Sequence, residues 1–276
     1  MFEKLERKHL SLLEAYLIKH NDDVIYLMKP VEQLTDNQSQ GHFYGYIENA
    51  QLMGIFYFSN KSVLLLHCTH KKILGSLQLL KAIKHHKPKF VKGNTEMTTG
   101  IYNLLCRAVA EISESKSILM VYDKQDVEIS TVEGYSLITG DNQIVKDLLS
   151  DMRFFIDVEN HFGRPVKAIN DIIKDFKHLI VQKNYLLAVI GNEIVAQGMI
   201  EDETSKLGIL SGIYVAPKHR KKGIGNVLSK ELTHMLTIRG KTPYLFVKNN
   251  NEKAKRLYEH IGYRPIKDYA VLTITY

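Results

Sequence analysis

Three glycines, a proline and a basic run lie close together between residues 212 and 226. The stretch reads Gly-Ile-Tyr-Val-Ala-Pro-Lys-His-Arg-Lys-Lys-Gly-Ile-Gly-Asn. Gly223 and Gly225 open a segment with helical spacing, so we expect them in the first turn of a helix. There, missing side chains leave unpaired backbone N–H groups open to an anion. The spacing therefore predicts a binding site for a diphosphate that is built from backbone.

The residues on either side of this loop predict the elements that position it. Ile213, Tyr214 and Val215 are β-branched or aromatic and indicate a buried strand, and Pro217 then removes a ladder donor and ends it. An apolar stripe with a period of 3.6 residues predicts the helix that follows. The stripe consists of Val227, Leu228, Leu232, Met235 and Leu236.

A second motif follows a predicted strand at residues 244–247. The spacing N-x-x-A-x-x-L-Y-x-x-x-G-Y runs from Asn251 to Tyr263, downstream of Arg-x-x-Gly-x-Gly at 220–225. Together the two patterns resemble the GCN5-related N-acetyltransferases (GNATs), which transfer acetyl from acetyl-coenzyme A to an amine. The resemblance covers residues 185–268.

The resemblance implies cofactor contacts for the residues of both motifs. The backbone of the strand would pair with the pantetheine arm of acetyl-coenzyme A like an added strand, and the loop amides would hold the diphosphate. Asn251 matches an asparagine that commonly contacts the cofactor. The implied cofactor-binding set is Ile213, Tyr214, Val215, Arg220, Lys221, Lys222, Gly223, Ile224, Gly225, Asn226, Asn251 and Tyr258.

Tyr258 matches the tyrosine that commonly protonates the departing thiolate. A phenol with a pKa of about 10 stays protonated at neutral pH and can donate that proton. The alternative is that Tyr258 and Leu257 simply pack the helix against the sheet.

The acceptor amine has to lose a proton, which calls for a base. Many GNATs carry a carboxylate on the strand that leads into the motif, but that strand contains no acid here. Glu201 and Glu203 share one face of the preceding strand and are the predicted candidates. Asp157, Glu159 and His161 are predicted to lie in a loop where substrates enter. Residues of these types in such positions are more often plain surface residues than catalytic ones, and ordered water could also serve.

The net charge of +7 is unevenly placed. Residues 213–276 hold 13 Lys and Arg against 4 Asp and Glu, a net +9, which leaves 24 against 26, a net −2, for residues 1–212. A basic patch could serve nucleic acid. It surrounds a helix N-terminus suited to a small polyphosphate, however, and no aromatic-studded basic sheet or helix-turn-helix is evident. We therefore expect coenzyme A rather than nucleic acid.

Length and composition are those of a globular chain long enough for two domains. The 276 residues are 45% hydrophobic and 24% charged, and no segment has the apolar length of a membrane span or the core of a signal peptide. The chain is predicted to be cytoplasmic, without a membrane partner. Cys68 and Cys106 form no C-x-x-C pair, and His85 and His86 point to different helix faces, so we expect no metal site.

One order of helices and strands occurs twice, which predicts an α/β (α+β) fold in two tandem copies, and the resemblance implies that each copy is a GNAT-like domain. Each would be a mixed, mostly antiparallel twisted sheet flanked by helices, as in tandem members of the FR47-like type. Residues 1–130 would form a degenerate domain without a cofactor site, because residues 67–77 offer only Gly75. Residues 131–276 would form the catalytic domain.

The first pass is predicted to open with a helix at 3–20 and a strand at 24–28, followed by a three-stranded meander. The second pass is predicted to contain helices at 142–155 and 166–176 and a hairpin at 186–200.

The resemblance implies an N-acetyltransferase in which a bound primary amine, on a small molecule or a peptide, attacks acetyl-coenzyme A directly. Two alternatives stay open: transfer of a longer acyl or an aminoacyl group on the same fold, or a non-catalytic coenzyme A-binding regulatory module. Retention of Asn251 and Tyr258 speaks against the non-catalytic module. The oligomeric state, monomer or homodimer, is also open.

Overall fold

The computed structural model describes residues 1–36, 38–124, 126–129, 131–139, 153–163 and 183–276. The chain divides into two compact units. The first contains Met1–Leu119, Val247–Asn251 and Pro265–Tyr276, and the second contains Met120–Phe246 and Glu252–Arg264. The C-terminal segment is thus part of the first unit. The division into functional domains at residue 130 stays a prediction.

The first unit is built on a mixed sheet in which β4 and β5 are parallel. Its order is β1-β2-β3-β4-β5-β12-β6, and the β1–β2, β2–β3, β3–β4 and β5–β12 pairs are antiparallel. The strands are β1 (Phe2–Leu5), β2 (Gly41–Glu48), β3 (Gln51–Ser59), β4 (Val63–Cys68), β5 (Phe90–Asn94), β6 (Glu111–Val121) and β12 (Arg264–Thr275).

Four helices accompany this sheet, and local signals account for two features of the unit. Asn49 and Ala50, with φ of 49° and 60°, form the two-residue turn of the predicted β2–β3 hairpin, which is confirmed. The predicted cap Asn94 accepts a hydrogen bond from the Met97 N–H at 3.0 Å. The helices are α1 (Leu10–His20), α2 (Ile25–Thr35), α3 (Leu77–His86) and α4 (Thr95–Leu105).

Two predictions at the N-terminus are wrong. The opening helix starts only at Leu10, because residues 2–5 pair with β2 as a strand. The strand predicted at 24–28 is the first part of α2. Its apolar run reads like a strand, but Ile25, Leu27 and Val31 lie on the buried side of a helix that packs with α1. Tertiary packing therefore overrides the local propensity.

The second unit has strand order β11-β10-β9-β8-β7. Among its described strand pairs, only β10–β11 is parallel. Its strands are β7 (Ser136–Thr139), β8 (Tyr185–Ile190), β9 (Glu193–Glu203), β10 (Leu207–Val215) and β11 (Thr242–Lys248), and its described helices are α5 (Arg153–His161), α6 (Ile224–Thr237) and α7 (Glu252–Ile261). The mixed, mostly antiparallel sheets with flanking helices confirm the predicted fold class.

The end of the first helix predicted in the second pass, residues 153–155, lies in α5. The rest of that helix, residues 142–152, and the second predicted helix, residues 166–176, fall outside the described residues. The hairpin predicted at 186–200 is confirmed as β8 and β9. No helix among the described residues is both long enough and apolar enough to cross a bilayer.

Candidate active site

Strand β10 loses its parallel neighbour halfway along. Its pairing with β11 runs from Leu207–Thr242 to Leu210–Leu245, whereas β10 itself continues to Val215. The last part of β10 therefore has one edge that pairs with no strand among the described residues. Such an edge can accept an extended ligand through backbone hydrogen bonds.

A bulge begins just where this parallel pairing ends. On the β9 side the register passes from Ser211–Met199 to Tyr214–Gln197, so three steps along β10 oppose two along β9. Gly212 supplies the bulge with a φ of 64°, a conformation in which L side chains are strained. The bulge re-aims the backbone of β10 beside its open edge.

The loop after β10 is the anion site that the sequence predicts. Pro217–His219 form a 3-10 turn, and Gly223, with a φ of 82°, is the N-cap residue of α6. Among the described residues, no acceptor is found for the backbone N–H groups of residues 221–225, whereas the Asn226 N–H donates to Gly223 O at 3.0 Å. Lys221 and Lys222 are exposed beside these free donors. Free N–H groups, a helix N-terminus and positive charge together favour a polyphosphate.

Arg220 is fixed against the end of β10 rather than turned freely into solvent. Its Nε donates to Val215 O at 2.9 Å, and its guanidinium carbon lies 5.9 Å from the centre of the Tyr214 ring. The side chain thereby ties the start of the loop to the strand.

Gly225 leaves open space between β10 and α7. A Cβ atom built on Gly225 would lie 3.6 Å from Val215 Cγ2 and 3.8 Å from Leu257 Cδ2, ordinary contact distances. The fold would accommodate a methyl group here, so packing does not explain the glycine. A ligand that lies against the first turn of α6 would explain it.

Tyr258 lies on α7, next to the Leu257 that faces Gly225. It is 9% exposed, and its ring packs edge-on against Tyr263 at 5.9 Å between centroids. Burial raises the pKa of Tyr258 to about 12. The phenol therefore stays protonated across the neutral range.

Asn251 directly precedes α7, and its backbone N–H donates to Lys248 O at 2.9 Å. It belongs to the segment that is grouped with the first compact unit. Its predicted contact with the cofactor stays a prediction.

Comparisons with known proteins agree with this geometry. Residues 193–271, which contain the bulge, the loop and α7, match the family model described as FR47-like protein. This match supports the predicted resemblance to the FR47-like type of GNAT. No functionally curated protein matches the chain.

Solved structures extend the GNAT fold to the whole chain. A Drosophila protein from a structural genomics programme has a TM-score of 0.72 at 13% identity, with 99% of this chain and 98% of that chain covered. A GCN5-related N-acetyltransferase from Sphaerobacter thermophilus has a TM-score of 0.66 at 15% identity, with 99% of this chain and 94% of that chain covered. A tandem GNAT protein from the clavulanic acid biosynthesis pathway has a TM-score of 0.61 at 9% identity, with 99% of this chain and 98% of that chain covered. At these identities the likeness shows the fold alone.

The two carboxylates predicted as the base lie in different surroundings. Glu203 is bound by Lys241 Nζ at 2.6 Å, Arg239 Nη1 at 3.0 Å and Asn184 Nδ2 at 3.0 Å. Burial raises the pKa of Glu203. The hydrogen bonds from Lys241 and Asn184 and the charge of Arg239 lower it by more, so the pKa falls below its usual value. A carboxylate held in this way is a weak base.

Strand register also separates Glu203 from the bulge. Glu203 is opposite Gly208, four residues before Gly212, which amounts to about 13 Å along a strand. Glu201 is the extra residue of a second irregularity, between the Ile209–Asp202 and Leu210–Ile200 pairs, and is exposed. The structure thus does not bring Glu203 together with the bulge, and it leaves the Glu201 carboxylate in solvent.

The prediction of a loop around Asp157, Glu159 and His161 is wrong, because these residues lie in helix α5. Residues 153–161 form an amphipathic helix in which Phe155 and Val158 are buried. The His161 ring lies 5.0 Å from the Tyr214 ring, and Phe154 lies 5.6 Å from it. The sequence gives no sign of this contact, since α5 and β10 are far apart along the chain.

A metal site is not seen in the part of the chain that the structure describes. There, no three His, Cys, Asp or Glu side chains converge in a way that could hold a metal ion.

Proposed function

We propose that this protein is an acetyl-coenzyme A-dependent N-acetyltransferase that transfers the acetyl group to a primary amine by direct attack. One observation carries the proposal: β10 bulges and loses its parallel neighbour at Leu210, and then leads into a loop of unpaired N–H groups capped by Gly223. An extended arm that ends in a diphosphate fits this sequence of features.

Backbone groups would bind most of the cofactor. The open edge of β10 at Ile213, Tyr214 and Val215 would pair with the pantetheine amides. The N–H groups of residues 221–225 would bind the diphosphate, and the exposed ammonium groups of Lys221 and Lys222 would attract it. The thioester would then lie beside the Gly212 bulge.

The transfer forms one bond and breaks one. The neutral amine nitrogen attacks the thioester carbon, the C–N bond forms, and the C–S bond breaks with the electron pair on sulfur. The attacking nitrogen loses a proton and the thiolate gains one, so no net proton is consumed. Backbone N–H groups aimed at the carbonyl oxygen would stabilise the charge that develops there.

Tyr258 would supply the proton to the thiolate. A pKa of about 12 is high for a donor to a thiolate in water. Burial also raises the pKa of thiols, however: that of Cys68, a buried thiol in this chain, rises to about 12. A thiolate released into a dry site is likewise a stronger base than in water, which favours its protonation by the phenol.

The base that receives the amine proton is either Glu201 or ordered water. Glu203 is engaged by Lys241 and Arg239 and lies at the far end of its strand from the bulge, so we propose a structural role for it.

Two measurements on the full chain test the proposal. Calorimetry should show binding of both coenzyme A and acetyl-coenzyme A, and a panel of small amines and lysine-containing peptides should then release free thiol from acetyl-coenzyme A. Absence of coenzyme A binding would refute the proposal. Binding without thiol release for any amine or any acyl chain would favour the regulatory module instead.

A further inference from the structure

We infer that Gln197, held by Tyr185, is a positioning residue that fixes the β10 bulge and so polarises the thioester carbonyl. The inference rests on the proposed function and names side chains that act on its site through the backbone. Both residues lie on neighbouring strands of the second unit, outside the loop and outside the motifs.

Gln197 is a polar residue in an apolar setting. It is 2% exposed, and Val195 and Ala196 beside it are fully buried. On the next strand it stands opposite Leu187, in the face that carries an apolar cluster with Phe155. A buried amide without partners would destabilise the fold, so its hydrogen bonds explain its presence.

Both ends of the Gln197 amide are used. Its Nε2 donates to Gly212 O at 3.3 Å, and its Oε1 accepts from the Tyr185 hydroxyl. Tyr185 is itself 2% exposed and packs in the apolar cluster, so its hydroxyl has little freedom. The Tyr185 hydrogen bond orients the amide, and the oriented amide binds the carbonyl of the bulge residue.

On the opposite face of the sheet, side-chain packing fixes the same bulge. A Cβ atom on Gly198 would lie 2.6 Å from Ile213 Cδ1 and 2.8 Å from Leu232 Cδ1, so the glycine makes room for the Ile213 side chain. The bulge at Gly212 and Ile213 is therefore clamped from both faces. Since Gly212 tolerates many backbone conformations, the polar contact from Gln197 selects the one that is observed.

The orientation of the bulge determines where the N–H groups of β10 point. In the proposed function, these groups face the thioester carbonyl, and a hydrogen bond to a carbonyl weakens its C=O bond. Gln197 and Tyr185 would thus change the state of the bound acetyl group without touching it, and would affect the rest of the cofactor little.

Isotope-edited infrared spectroscopy with [1-13C]acetyl-coenzyme A reads this effect directly. For the wild-type protein we expect the carbonyl band of the bound probe below its position in free probe. In Gln197→Met, which keeps the length but loses both hydrogen bonds, the band should return at least halfway. The preference for acetyl-coenzyme A over coenzyme A should fall about tenfold, the equivalent of one hydrogen bond. The coenzyme A affinity itself should change less than about threefold.

Two further variants keep the test independent of folding. Tyr185→Phe leaves the ring in the apolar cluster and removes the hydroxyl that orients the Gln197 amide, so we expect a smaller shift in the same direction. Thr204→Val is the matched control, because the buried Thr204 hydroxyl accepts hydrogen bonds from the Lys206 and Leu207 N–H groups at the other end of the β9–β10 hairpin, and valine removes both. It should leave the carbonyl band unchanged.

The outcomes separate the inference from the function. A wild-type protein that binds neither probe would refute the proposed function. A wild-type protein that binds and shifts the carbonyl band, with the same shift in Gln197→Met and Tyr185→Phe, would overturn the positioning role alone. An equal change in Thr204→Val would also overturn it, because the effect would then be one of general stability.

Discussion

Replacing Gly225 with Ala should stabilise the fold but weaken the binding of coenzyme A. Gly225 has no positive φ, and an added Cβ would meet Val215 and Leu257 only at 3.6 and 3.8 Å. Alanine restricts the unfolded chain at no steric cost, which is worth about 0.4–1 kcal/mol of stability. The methyl group would occupy the space against the first turn of α6 where the diphosphate is proposed to lie. Loss of one charged hydrogen bond corresponds to about a tenfold weaker affinity.

Gly223→Ala, in contrast, should destabilise the fold. At a φ of 82° an L residue is strained, and we expect a loss of about 1–2 kcal/mol of stability even though the nearest atom, Val132 Cγ2, is 3.5 Å away. Gly240→Ala is the matched control. Gly240 lies beyond the other end of the same helix with a φ of 69° and open space around it, so it carries the same strain far from the loop.

Thermal unfolding and coenzyme A calorimetry on the three variants check both effects. We expect Gly225→Ala to melt higher and bind more weakly, and Gly240→Ala to melt lower and bind as the wild type does. A Gly225→Ala variant with unchanged coenzyme A affinity would refute the placement of the diphosphate on this turn. A Gly240→Ala variant that binds as weakly as Gly225→Ala would mean that the conformation of α6, and not the space beside its first turn, controls affinity.

Three further variants test individual side chains. Tyr258→Phe should lower turnover by roughly ten- to a thousandfold with little change in coenzyme A affinity; a lower melting temperature with unchanged turnover would assign Tyr258 to packing. Glu203→Gln should lower the free energy of unfolding in urea by about 1 kcal/mol, since the pairs with Arg239 and Lys241 are partly exposed, and should leave turnover intact if the carboxylate is structural. Burial lowers the pKa of His67 from 6.5 to about 4. The free energy of unfolding should therefore be about 3 kcal/mol higher above pH 6.5, where the ring is neutral, and this difference is lost as the pH falls through 4. His67→Gln should flatten that part of the stability profile, and an unchanged profile would place the acid sensitivity elsewhere.

The strand, loop and helix of the site could be predicted because their signals are local. Pro217 ends β10, Gly223 caps α6, and an apolar stripe with the period of a helix follows within a few residues. Each of these depends on backbone conformation or on one helix face, which a short stretch of sequence fixes. The hairpin turn at Asn49 and Ala50 is predictable for the same reason.

The contacts that shape the site are long-range, and the sequence does not contain them in readable form. Gln197 and Gly212 are 15 residues apart, and nothing in the polar or apolar order of β9 marks Gln197 as the partner of a bulge. The pairing of β12 with β5 joins residues 90–94 to residues 269–273 and places the C-terminal strand in the first unit. The apolar run of helix α2 has the composition of a strand, and only its packing against α1 makes it helical.

Each unit contains a parallel strand pair that ends early, and the contrast between them bears on how many cofactors the chain binds. In the first unit the β4–β5 pairing ends at Leu65–Lys92, as β10–β11 pairing ends at Leu210. The space beyond is filled there: Cys68 Sγ lies 3.5 Å from Met97 Sδ, and both side chains belong to the buried core.

The backbone of the first unit is also closed at this point. A Cβ atom on Gly93 would lie only 3.2 Å from Leu66 O, so the two strands stay close, and the turn after β4 offers only Gly75 where the second unit has a glycine pair. Apolar side chains and a closed backbone leave no edge for an extended arm. We therefore predict one coenzyme A per chain by calorimetry, with binding lost in Gly223→Val and retained in Cys68→Ala. A stoichiometry of two, or residual binding of one equivalent in Gly223→Val, would show that the first unit has a site of its own.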